Sequence, residues 1–164
     1  MYTSDALLDL HTRGHASLAR LIAHCDGLRP DELRRPLDGF GYPTVHAQLA
    51  HVIGAEHYWI GVVHGVVDAE DRDELYPTTA ALESWRAEVA ARTAAYLGAA
   101  SVEELNTPRP MVTWGGRTQV LAPARVVLRT VTHAFQHQGQ VVAQCRLLGR
   151  PVGRPASGLD FPIT

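Results

Sequence analysis

Two histidines four residues apart, His133 and His137, are the side chains of this sequence best suited to hold a metal ion. Residues at this spacing on an α-helix differ by about 40° in azimuth and about 6 Å in rise, so both imidazoles can reach one ion. The flanking segment is strongly apolar, which predicts that the rings are partly buried and need polar partners. Gln140 and Gln144 lie on the same stripe of the helix. We expect their amide oxygens to accept the proton on the second ring nitrogen of a metal-binding histidine. Gly139 in mid-helix costs about 1 kcal/mol relative to alanine, and we expect it to permit a close approach.

A metal ion needs at least one more ligand, and the best candidate is His51 in the second long helix. Its neighbours on that face, Ala47, Gly54 and Ala55, are small. We expect them to leave an open volume beside the imidazole, as a catalytic metal with free coordination positions requires. Glu56 lies about 140° from His51 around the helix, so it is not expected to join the site.

The other histidines have simpler interpretations. His11 and His15 repeat the four-residue spacing on the first helix. Core packing is favoured for them over a role as proton shuttles beside a cavity. His46, His57 and His64 lie at other azimuths of the second helix and are expected to pack or to face solvent. Histidines four apart also arise by chance in a chain with nine of them, so this spacing alone leaves packing or exposure open.

Composition narrows the chemistry further. The chain has 164 residues, of which 46% are hydrophobic and 20% charged, and residues 1–164 are expected to form a single globular domain. All fifteen basic residues are arginines, which excludes Schiff-base chemistry and a P-loop lysine. The formal charge of −2 argues against nucleic acid as a partner. Nine histidines against two cysteines favour an imidazole site over a thiolate site.

The cysteines and the N-terminus predict a cytoplasmic protein. Cys25 and Cys145 belong to no metal-binding motif, and two buried free thiols are favoured over one disulfide. The first ten residues carry Asp5 and Asp9 and no basic region, so a signal peptide is not expected. The apolar stretches are too short to span a membrane, and we expect no membrane partner.

Hydrophobic periodicity predicts four long helices separated by loops rich in proline and glycine. Their predicted ranges are 4–25, 44–64, 79–97 and 123–148. Ser4 is the expected N-cap of the first helix, Thr44 or Tyr42 opens the second, and Gly149 ends the fourth. Short helical turns are expected at 31–35 and 101–104, and an irregular tail at 150–164. The fold class is therefore all-α, an antiparallel or crossover four-helix bundle.

Residues 108–121 differ from the rest and predict a β-hairpin between the third and fourth long helices. Gly115 and Gly116 give the signal for a two-residue turn between alternating residues. Trp114 beside this turn is expected to pack, with contact to a bound ligand as the alternative. The other large aromatic residues at helical spacing are expected to pack in the core or between helices; these are Trp59, Trp85 and Tyr96.

The order of these motifs resembles the DinB/YfiT family of metal-binding four-helix bundles. The matching stretches are TVHAQLAHVIGAEHYW at 44–59 and THAFQHQGQ at 132–140, with RPDEL at 29–33 and LLGRP at 147–151. The resemblance implies a metal triad of one second-helix histidine and both histidines of the last helix, here His51, His133 and His137. Gln138 stands where this family often has arginine, and Gln136 where a further histidine is common.

The resemblance also implies a function. Related bundles include thiol S-transferases that use mycothiol or bacillithiol, so the expected cofactors are a divalent metal and a low-molecular-weight thiol. Zinc or nickel is favoured, with iron or copper as alternatives. The expected activity is metal-dependent S-transfer to a small-molecule substrate, or hydrolysis. A stress-response bundle that binds metal or ligand without turnover is the competing hypothesis, and a homodimer is an alternative to a monomer.

Overall fold

A computed structural model of the chain describes residues 1–68, 73–153 and 159. Within these residues the four long helices form as predicted, two short helices correspond to the predicted turns, and a two-stranded antiparallel hairpin follows. The elements are α1 (Ser4–Cys25), α2 (Pro30–Leu33), α3 (Val45–Val63), α4 (Thr79–Ala99), α5 (Val102–Asn106), β1 (Arg109–Thr113), β2 (Arg117–Leu121) and α6 (Pro123–Leu147). The predicted all-α bundle with a small hairpin between the third and fourth long helices is confirmed.

Contacts across the core establish a crossover bundle. Helices α1 and α3 each pack against both α4 and α6, so α1 and α3 lie on a diagonal. The residue numbers in the contacts Ser17–Gln138 and Cys25–Cys145 increase together along both helices, so α1 and α6 run parallel. By the same reasoning α3 runs antiparallel to α6, since Gln48 contacts Gln140 whereas the later His51 contacts the earlier His133.

The direction of α4 follows from its contacts with α1. Ser4 bonds to the carbonyl of Leu97, and His15 contacts the earlier residue Arg86, so α1 and α4 are antiparallel. Helices α3 and α4 are therefore parallel, so the end of α3 and the start of α4 lie at opposite ends of the bundle. This arrangement places residues from α3 opposite three other helices.

Threonine side chains set the starts of the long helices. Thr44 and Thr78 accept hydrogen bonds from the backbone N–H groups three residues later, which satisfies donors that lack an intrahelical partner. The predicted cap of α1 is wrong by one residue, because Thr3 caps this helix. The hydroxyl of Ser4 is instead used between helices, where it donates to the carbonyl of Leu97.

The large aromatic residues mostly pack as predicted. Trp85 is 3% exposed and Tyr96 is 9% exposed, and both belong to the apolar core. Trp59 is partly buried, with the guanidinium of Arg129 lying 5.3 Å from its ring centroid. Tyr76, in the segment before α4, stacks on Trp85 with the ring centroids 4.3 Å apart.

The hairpin differs from the prediction at its turn. Thr113 pairs with Arg117, so three residues rather than two connect the strands. Gly115 and Gly116 both have positive φ, of 68° and 72°, a conformation that a residue with a side chain rarely adopts. Trp114 is 59% exposed, so the packing expected of its side chain is not observed, and its backbone N–H donates to the hydroxyl of Tyr58 at 2.7 Å.

The two cysteines meet although 120 residues separate them in sequence. Cys25 and Cys145 are both buried free thiols, with their sulfur atoms 3.9 Å apart, which confirms the prediction. Among the described residues no helix combines the length and hydropathy that crossing a membrane requires. The predicted tail at 150–164 lies largely outside the described residues, which include only 150–153 and 159 of it.

Two helical glycines provide a test of the packing. A Cβ atom on Gly61 would lie 2.5 Å from the carbonyl oxygen of Val66, so Gly61→Ala is expected to destabilise the fold by about 1–3 kcal/mol. Gly139 is exposed, and a Cβ there meets no described atom within 4 Å, so the close approach expected at Gly139 is not observed. Gly139→Ala is therefore expected to stabilise the protein by up to about 1 kcal/mol. Urea unfolding of both variants measures these changes, and equal effects would contradict the packing described.

Candidate metal centre

Helices α3 and α6 bring the three predicted histidines together. The Nε2 atoms of His51 and His133 are 3.3 Å apart. The ring centroid of His137 lies 4.8 Å from that of His51 and 4.3 Å from that of His133. One ring nitrogen from each histidine lies within 4.8 Å of the others. We call these residues the three-histidine cluster.

One separation in this cluster matches that expected between two ligands of a tetrahedral metal. Metal–nitrogen bonds of about 2.05 Å at the tetrahedral angle place neighbouring ligand atoms about 3.3 Å apart. The separation of the His51 and His133 Nε2 atoms equals this distance. Neutral imidazoles in such a group can each direct a lone pair at one point, which is what zinc or a similar divalent ion requires.

The environment favours the neutral form of two of these rings. Burial lowers the pKa of His133, the nearby His137, His51 and Arg129 act in the same direction, and together they bring it to about 4. Burial also lowers the pKa of His137. Both rings are therefore neutral at pH 7, and a neutral imidazole is the form that coordinates a metal.

Gln48, which the sequence analysis missed, holds His137. Its amide nitrogen is 3.0 Å from Nδ1 of His137 and also contacts Oε1 of Gln140. Among the described residues the Oε1 atom of Gln48 is buried without a hydrogen-bond partner. If the amides of Gln48 and Gln140 are both turned over, Oε1 of Gln48 accepts the proton of His137 Nδ1. That tautomer leaves Nε2 of His137 free to bind a metal.

The roles expected of Gln140 and Gln144 need correction. Gln140 reaches the cluster only through Gln48, and Gln144 donates to the backbone oxygen of Tyr42 at 3.0 Å. Helical spacing correctly predicts a stripe of amides on α6, but the partner of His137 comes from α3. A glutamine three residues before His51 was the available signal, since residues at that spacing share a helix face.

Aromatic rings occupy part of the space expected beside His51. Tyr42, from the loop before α3, stacks on the His51 ring with centroids 3.9 Å apart and an interplanar angle of 19°. The Trp85 ring lies against Gly54, at 3.2 Å from where its Cβ would be. The small residues near His51 therefore accommodate aromatic rings as well as the histidine cluster.

A second polar cluster lies on the other side of α3. Glu56 accepts hydrogen bonds from Nε2 of His11 at 2.8 Å and Nε2 of His15 at 2.9 Å. The hydroxyl of Thr93 donates to the same carboxylate at 2.7 Å. We call His11, His15 and Glu56 the carboxylate cluster. As predicted, Glu56 stays apart from the three-histidine cluster, and His11 and His15 pack in the interior with Glu56 as their partner.

The two clusters differ in charge. Burial by itself would raise the pKa of Glu56, but hydrogen bonds from His11 and His15 outweigh it and hold this pKa well below its usual range. The Glu56 side chain in the carboxylate cluster is therefore ionised at neutral pH. The three-histidine cluster consists of imidazoles alone.

Of the remaining second-helix histidines, His46 packs and His64 is exposed, as expected, whereas His57 contacts an aspartate. His46 is 1% exposed, and its Nε2 lies 2.8 Å from the carbonyl oxygen of Tyr76. His57 pairs with Asp68 at 3.5 Å. Neither residue belongs to the three-histidine cluster.

Comparison with known proteins agrees with this architecture. Residues 1–157 match the DinB family. The chain belongs to the DinB family. No curated protein matches the chain.

Two positions differ from the common pattern of the DinB family noted above. Gln138 is 3% exposed, and its Oε1 accepts a hydrogen bond from the Ser17 hydroxyl at 2.8 Å, so this side chain joins α6 to α1. Gln136 is exposed. In this member of the family neither position supplies a cation beside the histidines.

Acid titration tests the carboxylate cluster. A carboxylate whose pKa is lowered on folding stabilises the fold above its unfolded pKa of about 4.3. This contribution is lost as the pH falls through the lower folded pKa. We expect the free energy of unfolding to decrease more steeply below about pH 5 in the wild type than in Glu56→Gln. Chemical denaturation at several pH values measures both slopes.

The control for this experiment is Glu88→Gln, at an exposed position on α4, which is expected to keep the wild-type slope. Equal slopes in all three proteins would refute the assignment.

Proposed function

We propose that this DinB family member binds one divalent metal ion through His51, His133 and His137 and uses it to act on a small molecule. The observation that carries this proposal is the convergence of three buried or half-buried imidazoles, two of them with Nε2 atoms 3.3 Å apart. Zinc and nickel are the favoured ions, because both accept three neutral imidazoles, with iron and copper as alternatives.

Three neutral ligands suit the activation of a nucleophile. A divalent ion bound there would lower the pKa of a coordinated thiol or water toward neutrality. Because the cluster contains no carboxylate among the described residues, the site adds no negative charge that would oppose a thiolate or hydroxide. Arg129, whose charge acts on His133, adds positive potential on the same side.

The chain positions these ligands from outside the cluster. Gln48 orients His137 through its Nδ1 atom, and Tyr42 covers one face of His51. Such contacts restrict the rotation of the rings and raise the affinity of a metal site. The amide of Gln144 fixes the backbone of Tyr42 in turn.

We infer S-transfer from a low-molecular-weight thiol, such as mycothiol or bacillithiol, as the reaction, with hydrolysis as its competitor. The thiolate sulfur would form a bond to an electrophilic carbon as the leaving group departs with its electron pair. This reaction requires a nucleophile with a low pKa, and a metal ion bound at the three-histidine cluster would lower the pKa of a coordinated thiol.

Metal content is the first test. Protein purified without an affinity tag is expected to contain about one divalent ion per chain, measured by elemental analysis. His51→Ala and His137→Ala are expected to lose that ion, because two imidazoles hold it too weakly. His57→Ala is the control on α3, since His57 pairs with Asp68 instead. Wild-type protein without metal after reconstitution, or full occupancy in both alanine variants, would refute the proposal.

The role of Gln48 predicts a change in affinity rather than in stoichiometry. Gln48→Leu is expected to weaken metal binding by about 10–100-fold, because His137 loses the partner of its Nδ1 atom. Competition with a chromophoric chelator measures the dissociation constant. Gln136→Leu, at an exposed α6 position, is expected to leave it unchanged. Equal affinities in all three proteins would show that Gln48 does not position the ligand.

A turnover screen separates the candidate activities. Mycothiol and bacillithiol are each offered with a set of small alkylating electrophiles, and mass spectrometry detects the S-conjugate. Conjugate formation abolished by both a chelator and His137→Ala supports S-transfer. Cleavage of esters or amides without thiol, lost in the same way, supports hydrolysis. Thiol binding without product supports the non-enzymatic alternative.

A further inference from the structure

The carboxylate cluster contains a second set of metal-ligand side chains. His11 and His15 lie one turn apart on α1, and Glu56 approaches them from α3. One ligand atom from each lies within 4.8 Å of the others. Two imidazoles and one carboxylate are a ligand set that zinc and ferrous iron use in proteins.

A path from solvent leads to this cluster. A cavity of about 330 Å³ between α1 and α4 is lined by His11, His15 and Arg86 and otherwise by small side chains such as Ala16 and Ala90. A metal ion needs such an entry path as well as its ligands. Access therefore does not prevent binding at this cluster.

The hydrogen bonds of His15, by contrast, oppose metal binding at this cluster. The guanidinium NH1 of Arg86 lies 3.1 Å from Nδ1 of His15. Arginine only donates hydrogen bonds, so Nδ1 must accept, and the single proton of the neutral ring is on Nε2. This Nε2–H donates to Oε2 of Glu56 at 2.9 Å. A metal would need the lone pair of the same Nε2 atom, which requires the proton to move to Nδ1, against Arg86.

Arg86 is itself held in place. Its Nε donates to Oε2 of Glu83 at 2.7 Å, and its NH2 donates to Oε1 at 2.6 Å. This two-bond pairing fixes the plane of the guanidinium and points NH1 at His15. The tautomer of His15 is thus determined by residues of α4.

We propose that His11, His15 and Glu56 form a second divalent-metal site that Arg86 keeps closed. Removal of the Arg86 guanidinium frees Nδ1 of His15 to carry the ring proton, and Nε2 becomes a ligand. No net proton is lost from His15, or from His11, whose Nε2–H also donates to Glu56, since in each ring the proton moves from Nε2 to Nδ1. This chain therefore contains two ligand sets, of which only the three-histidine cluster is open to metal in the wild type.

Zinc titration in a background without the first cluster tests this proposal independently of the proposed function. The parent is His133→Ala/His137→Ala, which is expected to bind no zinc by calorimetry. Addition of Arg86→Met, which keeps an aliphatic stem, is expected to raise the stoichiometry to one zinc per chain. Further addition of Glu56→Gln is expected to return it to zero. Arg92→Met, on the same helix, is the matched control and is expected to leave the parent unable to bind.

Two results would overturn the proposal. Zinc bound by the parent at the carboxylate cluster would show that Arg86 does not close it, and a folded Arg86→Met variant that binds none would show that no metal site exists there. Circular dichroism establishes that each variant is folded. Imidazole ¹⁵N spectra of the wild type provide a measurement that needs no variant: the Nε2–H tautomer is expected for His15, and the Nδ1–H tautomer would refute the closing role of Arg86.

Discussion

Polar side chains in the core of this bundle must find partners there, because an unpaired buried donor or acceptor costs about 1–3 kcal/mol. Polar side chains of helix α3 find their partners on three other helices. Gln48 and His51 meet residues of α6, whereas Glu56 meets residues of α1 and α4. Apolar packing tolerates small rotations of a helix, but these directional contacts do not. They therefore set the rotation and register of α3, on which both clusters depend.

The chain contains the same four-residue histidine spacing twice, with different consequences. On α6 the pair faces a third imidazole and an amide, with no carboxylate in the cluster, so the ring nitrogens can converge on one point. On α1 the pair faces a carboxylate, with an arginine behind one ring. In the second case hydrogen bonds satisfy the groups that a metal would otherwise use. The partners from other helices, more than the spacing itself, determine the chemistry of each pair.

This contrast distinguishes a cluster that joins helices from a cluster that could hold a metal ion in the same bundle. The carboxylate cluster joins three helices through a buried charge that is fully hydrogen-bonded, which stabilises the fold around α3. In the three-histidine cluster, Gln48 contacts His137 and Tyr42 stacks on His51. A site of this kind benefits from stiff surroundings, because ligands held in place lose less entropy when they bind.

The sequence by itself determined the four long helices, the position of the hairpin and the three histidines that meet. These features follow from local periodicity, from proline and glycine at helix ends, and from the spacing of His133 and His137. Tertiary structure alone decided the crossover direction of α4, the contact of Cys25 with Cys145, and the use of Gln48 by His137. It also decided that Glu56 accepts from His11 and His15, and that Arg86 selects a tautomer. The physical reason is that periodicity assigns a residue to a helix face, whereas its partner depends on which helix lies opposite and at what height.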